Sequence, residues 1–156
     1  MIKELGLKPR RTLRVVLWTN EENGSRGSKN YRNEHFSELE NHIVAIESDG
    51  GVFAPQGFGF TGSKGARKIL YDIADLLDPI GAGKITNWGR APDIAILNDE
   101  GVPVMSLNVD NSKYFWYHHT SADTFDKVDY REFNNCIAAM AIMAYVVADM
   151  EEKLPR

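Results

Sequence analysis

Strand-like apolar runs alternating with helix-like amphipathic stretches predict an α/β domain with a mostly parallel sheet. Two observations carry that prediction. Short runs rich in β-branched, aromatic and other apolar residues, at 13–18, 42–47 and 103–109, have the composition of buried strands. Between and after them, at 26–39, 63–77 and 130–150, apolar residues recur at helical spacing. The chain has 156 residues, enough for one domain with a real core. No repeat, low-complexity segment or linker divides it, so residues 1–156 read as a single domain.

Each element follows from local chemistry. Residues 1–7 read as the end of a helix closed by Gly6, with 8–11 as an exposed basic connector. Leu13, Val15, Val16, Leu17 and Trp18 form the first strand. Asn20, Asn23 and Gly24 are turn residues, so the chain leaves this strand at two adjacent acids, Glu21 and Glu22. Ser25 is placed to cap a helix over 26–39, carrying Tyr31, His35, Phe36 and Leu39, with a break near His35. The second strand, 42–47, runs into Ser48, Asp49, Gly50 and Gly51.

The Gly- and Phe-rich piece 57–62 reads as a short strand or a loop. Ser63 caps a helix with Ala66, Ile69, Leu70, Ile73, Leu76 and Leu77 on one face, ended by Pro79, Gly81 and Gly83. Residues 92–99 read as a short helix with Pro92 in its first turn. The third strand, 103–109, leads to a loop over 110–127. A long helix from Tyr130 to about Met150 closes the chain, with Phe133, Ile137, Met140, Ala144 and Val147 as its apolar stripe.

Composition narrows the function. A net charge of −4 argues against nucleic acid or an anionic membrane surface as partner. No apolar run is long enough to span a bilayer, and MIKELGLKPRR lacks the apolar centre of a signal peptide. One cysteine, Cys136, allows no internal disulfide, and its apolar neighbours predict a buried, inert thiol.

Open α/β sheets bind ligands beyond the carboxyl ends of their strands. Here that edge carries Glu21, Glu22, Asp49 and the loop with His118 and His119. Carboxylates from two strands and an imidazole suit a divalent metal such as zinc. A catalytic zinc also needs an unprotonated carboxylate nearby, and two adjacent acids can divide the two tasks. The plainer reading is a solvated acid pair and ordinary loop histidines. Asp93 reads as a helix-start acid or a substrate contact, and Asp123 as a partner of the histidine loop or of local backbone. Phe58, Phe60, Trp88, Phe115, Trp116 and Tyr117 are core or pocket aromatics.

WTNEENG, IESDGG and YHHTSADT, in this order and at these intervals, resemble the co-catalytic zinc exopeptidase family that includes bacterial zinc aminopeptidases, and within it the carboxypeptidase Q branch. The resemblance runs from about Arg11 to the C-terminus. It implies a three-layer α/β sandwich with a mixed sheet, two zinc ions, and hydrolysis of terminal peptide bonds in short peptides. It casts Glu21 as the general base, Glu22 as a ligand of one zinc and Asp49 of the other. His119 then joins the zinc of Glu22 or completes the pair, with His118 as its non-ligand neighbour. The family is often secreted or periplasmic.

The family's site also takes a histidine and a bridging aspartate from upstream of the acid pair, and residues 1–12 contain neither. His42 starts the strand whose far end delivers Asp49, and His35 lies on a helix, so neither is a substitute. The expectation is therefore the C-terminal part of a catalytic domain, its sheet truncated on the N-terminal side, holding at most one zinc. An exposed sheet edge would favour self-association. The alternative is a non-catalytic peptidase-like chain that self-associates and binds metal weakly or not at all.

Overall fold

The structure, a computed structural model, describes residues 2–156. Four strands form one sheet: β1 (Ala45–Glu47), β2 (Pro55–Thr61), β3 (Lys84–Thr86) and β4 (Val104–Val109), in the spatial order β1-β4-β2-β3. β1 runs parallel to β4, and β2 to β3, whereas β2 and β4 are antiparallel. The sheet is mixed with parallel pairings in the majority, as expected.

Helices cover both faces. The side-chain period of two sends Val104 and Met105 to opposite sides. Met105, with Leu107, Phe58 and Phe60, packs against α2 (Lys64–Ala74) and α5 (Tyr130–Asp149). Val104, with Ala45 alongside, packs against Leu39 and against Ile94 and Leu97, which belong to α3 (Ala95–Asp99) and the turn before it. α1 (Arg26–Glu34) lies on this second side with α3. The result is a three-layer α/β/α sandwich.

Several local readings hold. Ser63 caps α2 by accepting the Ala66 N–H at 3.0 Å. The helix after the acid pair breaks at His35 and continues as a 3-10 turn over Phe36–Asn41. The glycine-rich piece is a strand, β2. Its glycines are needed on the face opposite Phe58 and Phe60, because a Cβ on Gly59 would lie 1.8 Å from the Trp88 carbonyl oxygen. β3 was not foreseen, since Lys84-Ile85-Thr86 carries too few apolar residues to read as a strand.

Four readings are corrected. Residues 13–18 join no ladder, and Val15 and Leu17 are 87% and 88% exposed. A run apolar on both faces needs neighbours on both sides, and no described strand supplies them. Residues 42–44 lie outside the second strand, which is confined to Ala45–Glu47. Leu76 leaves the buried face and is exposed, because α2 ends at Ala74 and tightens into a 3-10 turn that rotates it outward. On α5 the buried residues are Cys136, Ala139, Met143, Val147 and Ala148, so Val147 of the expected stripe holds, whereas Phe133 and Ile137 are partly exposed. Small residues face the sheet there, letting the helix approach closely. No described helix is long and apolar enough to cross a membrane.

Candidate functional site

Because β1 and β4 are parallel, their carboxyl ends emerge at one edge of the sheet. Asp49 follows β1 there. β4 leads into the loop that carries a one-turn helix, α4 (Tyr114–Tyr117), and then His118 and His119. The acid pair reaches the same edge on a tight turn, closed by Gly24 and Ser25 N–H groups donating to the Glu21 carbonyl at 3.0 and 2.8 Å. Gly27 in the first turn of α1 sits so near residue 19 that a Cβ would come 2.7 Å from the Thr19 carbonyl oxygen. Ser25 stands at the N-cap but makes no side-chain cap; its backbone is left-handed, with φ 53° and ψ 46°. Its predicted capping bond is therefore absent, since the carbonyl and hydroxyl are turned away from extended cap geometry.

His119 Nε2 lies 2.7 Å from Glu22 Oε1. His118 stacks on His119 with ring centroids 3.8 Å apart, and on Tyr114 at 4.5 Å. Among the described residues, the non-glycine residues with positive φ are Asn20, Ser25 and His119. Each such backbone is held at about 1–3 kcal/mol of strain unless the residue tolerates it, and such strain collects at functional sites. Here all three residues flank or form the Glu22–His119 pair.

Glu21 is half-buried, and its carboxyl is held above the usual range, first by burial and then by the charges of Glu22, Asp93 and Asp49. His119 acts in the opposite direction. An upward-shifted carboxyl is a stronger proton acceptor, which suits a general base. Asp49 also pushes up Tyr114, behind the larger effect of burial. The four residues singled out in the sequence thus share one electrostatic neighbourhood, and Glu22 and His119 are in direct contact.

Behind them lies a buried polar layer that sequence reasoning missed. Ser28, Glu47 and Asp93 are 0%, 6% and 4% exposed. Glu47 accepts the Ile94 N–H at 3.0 Å and, more weakly, the Asp93 N–H at 3.5 Å. Burial nevertheless pushes its carboxyl up to about 7. Burial also raises Asp93, opposed by a hydrogen bond from Ser28. Asp93 Oδ1 is buried with no hydrogen-bond partner. A signal for Glu47 existed: it shares a strand face with Ala45, and a sheet covered on both sides leaves that face no solvent.

The other histidines serve packing. His42 Nδ1 donates to the Glu38 carbonyl at 3.0 Å, so Nε2 accepts from the Tyr31 hydroxyl at 2.8 Å, which in turn accepts from Arg14 Nη1 at 2.8 Å. His35 pairs with Glu38 at 3.2 Å. This network, with Trp18 edge-on to Tyr31, docks the segment 13–18 on α1. Phe58 and Phe60 are core, whereas Trp88, Phe115 and Trp116 are exposed. Tyr117 lines a cavity of about 110 Å³ together with Val52, Phe53, Tyr114 and Val128. Asp123 and Asp129 stand at the same cavity.

Zinc fits this edge in donor chemistry. A tetrahedral zinc bonded at about 2.0–2.2 Å to oxygen and nitrogen holds those two atoms roughly 3.3 Å apart. The Glu22–His119 contact at 2.7 Å is a hydrogen bond that would open by about half an ångström to admit the ion. Among the described residues no three His, Cys, Asp or Glu side chains stand together at metal-holding distance. The pair is formed; a third ligand is not.

The model of peptidase family M28 matches residues 1–144. Carboxypeptidase Q of Rattus norvegicus and of Homo sapiens are each 44% identical over 156 residues, and that of Xenopus laevis is 45% identical. All of this chain is matched, against 33% of each relative, so the chain spans about a third of their length. The crystal structure of a peptidase M28 precursor from Shewanella amazonensis SB2B superposes with a TM-score of 0.93 at 37% identity, covering 99% of this chain and 35% of that one. The matched sequence and the shared sandwich agree: this chain belongs to peptidase family M28.

Proposed function

We propose that this chain carries the acid-pair half of a zinc-dependent exopeptidase centre, which hydrolyses terminal peptide bonds of short peptides. The observation that supports it is the Glu22–His119 contact at 2.7 Å, with Glu21 next in sequence and held above its usual range. Glu22 and His119 would hold the one zinc, and Asp49 would join it as a third ligand. Zinc, when bound, supplies Lewis acidity and eases deprotonation of water. Glu21 takes the proton of the attacking water on a carboxylate oxygen. It returns that proton to the amine nitrogen as the carbon–nitrogen bond breaks. The neighbouring acids Asp93 and Asp49 disfavour a lasting negative charge on Glu21, and so favour its picking the proton up. The cavity beside Tyr114 and Tyr117, lined by both apolar and charged side chains, is the proposed seat of a substrate side chain.

Calorimetric zinc titration beside a dipeptide assay tests the reading. Glu21→Gln should abolish hydrolysis and keep the metal, whereas Glu22→Gln and His119→Ala should weaken metal binding. At most one zinc per chain is expected. Hydrolysis that persists without metal would overturn the proposal.

A further inference from the structure

Glu21 and Glu22 sit on a turn that is hard to hold. Asn20 and Ser25 bracket it in left-handed conformations, and His119, which meets Glu22, is the third residue of this kind. The turn's own side chains do not secure it at α1, since Ser25 makes no cap. Support comes from beneath. Ser28, fully buried on α1, donates its hydroxyl to the Ser25 carbonyl at 3.2 Å. The same hydroxyl is within hydrogen-bonding reach of the Asp93 carboxyl, so its one hydrogen is shared between the two acceptors. Asp93 is fixed from its other side, because Glu47 at the end of β1 engages the N–H groups of Asp93 and Ile94.

Three elements therefore meet under the turn through three buried polar side chains: α1 by Ser28, β1 by Glu47, and the lead into α3 by Asp93. Asp93 Oδ1 is buried without a partner. A packing role alone does not account for a buried carboxyl left half-satisfied, and such a group calls for a specific reason.

We propose that Ser28 and Asp93 are positioning residues, which brace the strained turn at 20–25 and so set Glu22 against His119 and Glu21 beside them. The role deepens the zinc-peptidase reading and rests on it for its consequence, but the geometry is testable without metal or turnover. The probe is the pair of ring-nitrogen NMR signals of His119 in the metal-free chain at one fixed pH. Glu22→Ala, which leaves no acceptor, marks the position of those signals when the pair is broken. Ser28→Ala and Asp93→Ala should move them most of the way to that mark. Asp93→Asn, which keeps an oxygen for Ser28, should restore them. Zinc titration of the Ser28 and Asp93 alanine variants should show affinity weaker by about 10–100-fold, as for other residues that orient ligands.

Thermal melts show which variants are folded, and Ser28→Ala alone carries the test if Asp93→Ala is not. Folded variants with unmoved His119 signals would overturn the positioning role, even if zinc binding weakens. Shifted signals in a chain that takes up no zinc would uphold the brace and sink the zinc reading instead.

Discussion

Glu47→Gln should make the metal-free chain more stable at alkaline pH than at acid pH, relative to wild type. Burial raises the Glu47 carboxyl from an ordinary 4.5 to about 7. Between those values the folded chain holds a proton that the unfolded chain has released. Stability therefore falls as pH rises through that window, and is fully present only below it. At about 1.36 kcal/mol per pKa unit, the loss is about 3 kcal/mol by pH 8. Glutamine does not titrate, and its carbonyl can still accept the Ile94 N–H that Glu47 accepts at 3.0 Å. The variant should match wild type near pH 4 and exceed it by about 3 kcal/mol at pH 8. For a domain of this size that is roughly 6–12 °C in Tm. Urea unfolding of both proteins in chelator, from pH 4 to pH 8, measures the difference. The other raised acids, Glu21 and Asp93, titrate in both proteins and largely cancel. A difference that stays flat across that range would show that Glu47 is not held protonated by burial.

Arg11 wraps the C-terminus of α5, with Nη1 donating to the Met150 carbonyl at 2.6 Å and Nη2 to Glu151 at 3.0 Å. Arg11→Ala should cost about 1.5–3 kcal/mol, read as a lower urea midpoint with an unchanged slope. Gly59→Ala would drive a Cβ to 1.8 Å from the Trp88 carbonyl oxygen, so no cooperative melt should be recovered for that variant. Ser25→Gly should raise the Tm of the metal-free chain by a few degrees, because glycine adopts φ 53° without the roughly 1–2 kcal/mol that a Cβ adds there.

The layers were legible because burial on both faces leaves a compositional mark. Val104 and Met105 are adjacent, apolar and sent to opposite cores, and that pattern is what a covered sheet produces. One pairing at the proposed site edge was legible too: Glu22 and His119, far apart in the chain, meet at 2.7 Å. What could not be read were features that depend on who sits alongside. Val15 and Leu17 look like core in the sequence, and are exposed because no described strand pairs with theirs. Lys84-Ile85-Thr86 looks like loop, and becomes β3 because β2 offers it a parallel partner. Glu47 and Ser28 look like surface residues, and are buried because the lead into α3 folds over them. On α5 the expected stripe runs through Phe133 and Ile137, whereas packing on the sheet selects Cys136, Ala139 and Met143 beside the expected Val147.

The misread packing is spread over both faces, and one unpartnered buried atom, Arg32 Nε, lies on α1. The left-handed residues and the raised, buried acids, however, share one edge. The Phe58–Phe60 side of the sheet obeys ordinary rules: caps are made, apolar residues interdigitate, and the thiol of Cys136 is inert, pushed up to about 11 by burial. The rules are broken at the edge where the acid pair meets the histidine loop. There three non-glycine residues are left-handed, Asp93 keeps an orphaned oxygen and Glu47 holds a raised carboxyl. Strain and unmet polarity of this kind amount to several kcal/mol, against a total stability of about 5–15 kcal/mol for a typical domain. Packing does not select such a concentration, because each fault has a more stable replacement at its own position. A bound ion changes the balance, since a ligand that binds only the folded chain adds about 2.7 kcal/mol at a hundredfold excess over its Kd. The faults are thus arranged where a cation between Glu22 and His119 would offset them, and that arrangement is the physical reason to read this edge as a working centre.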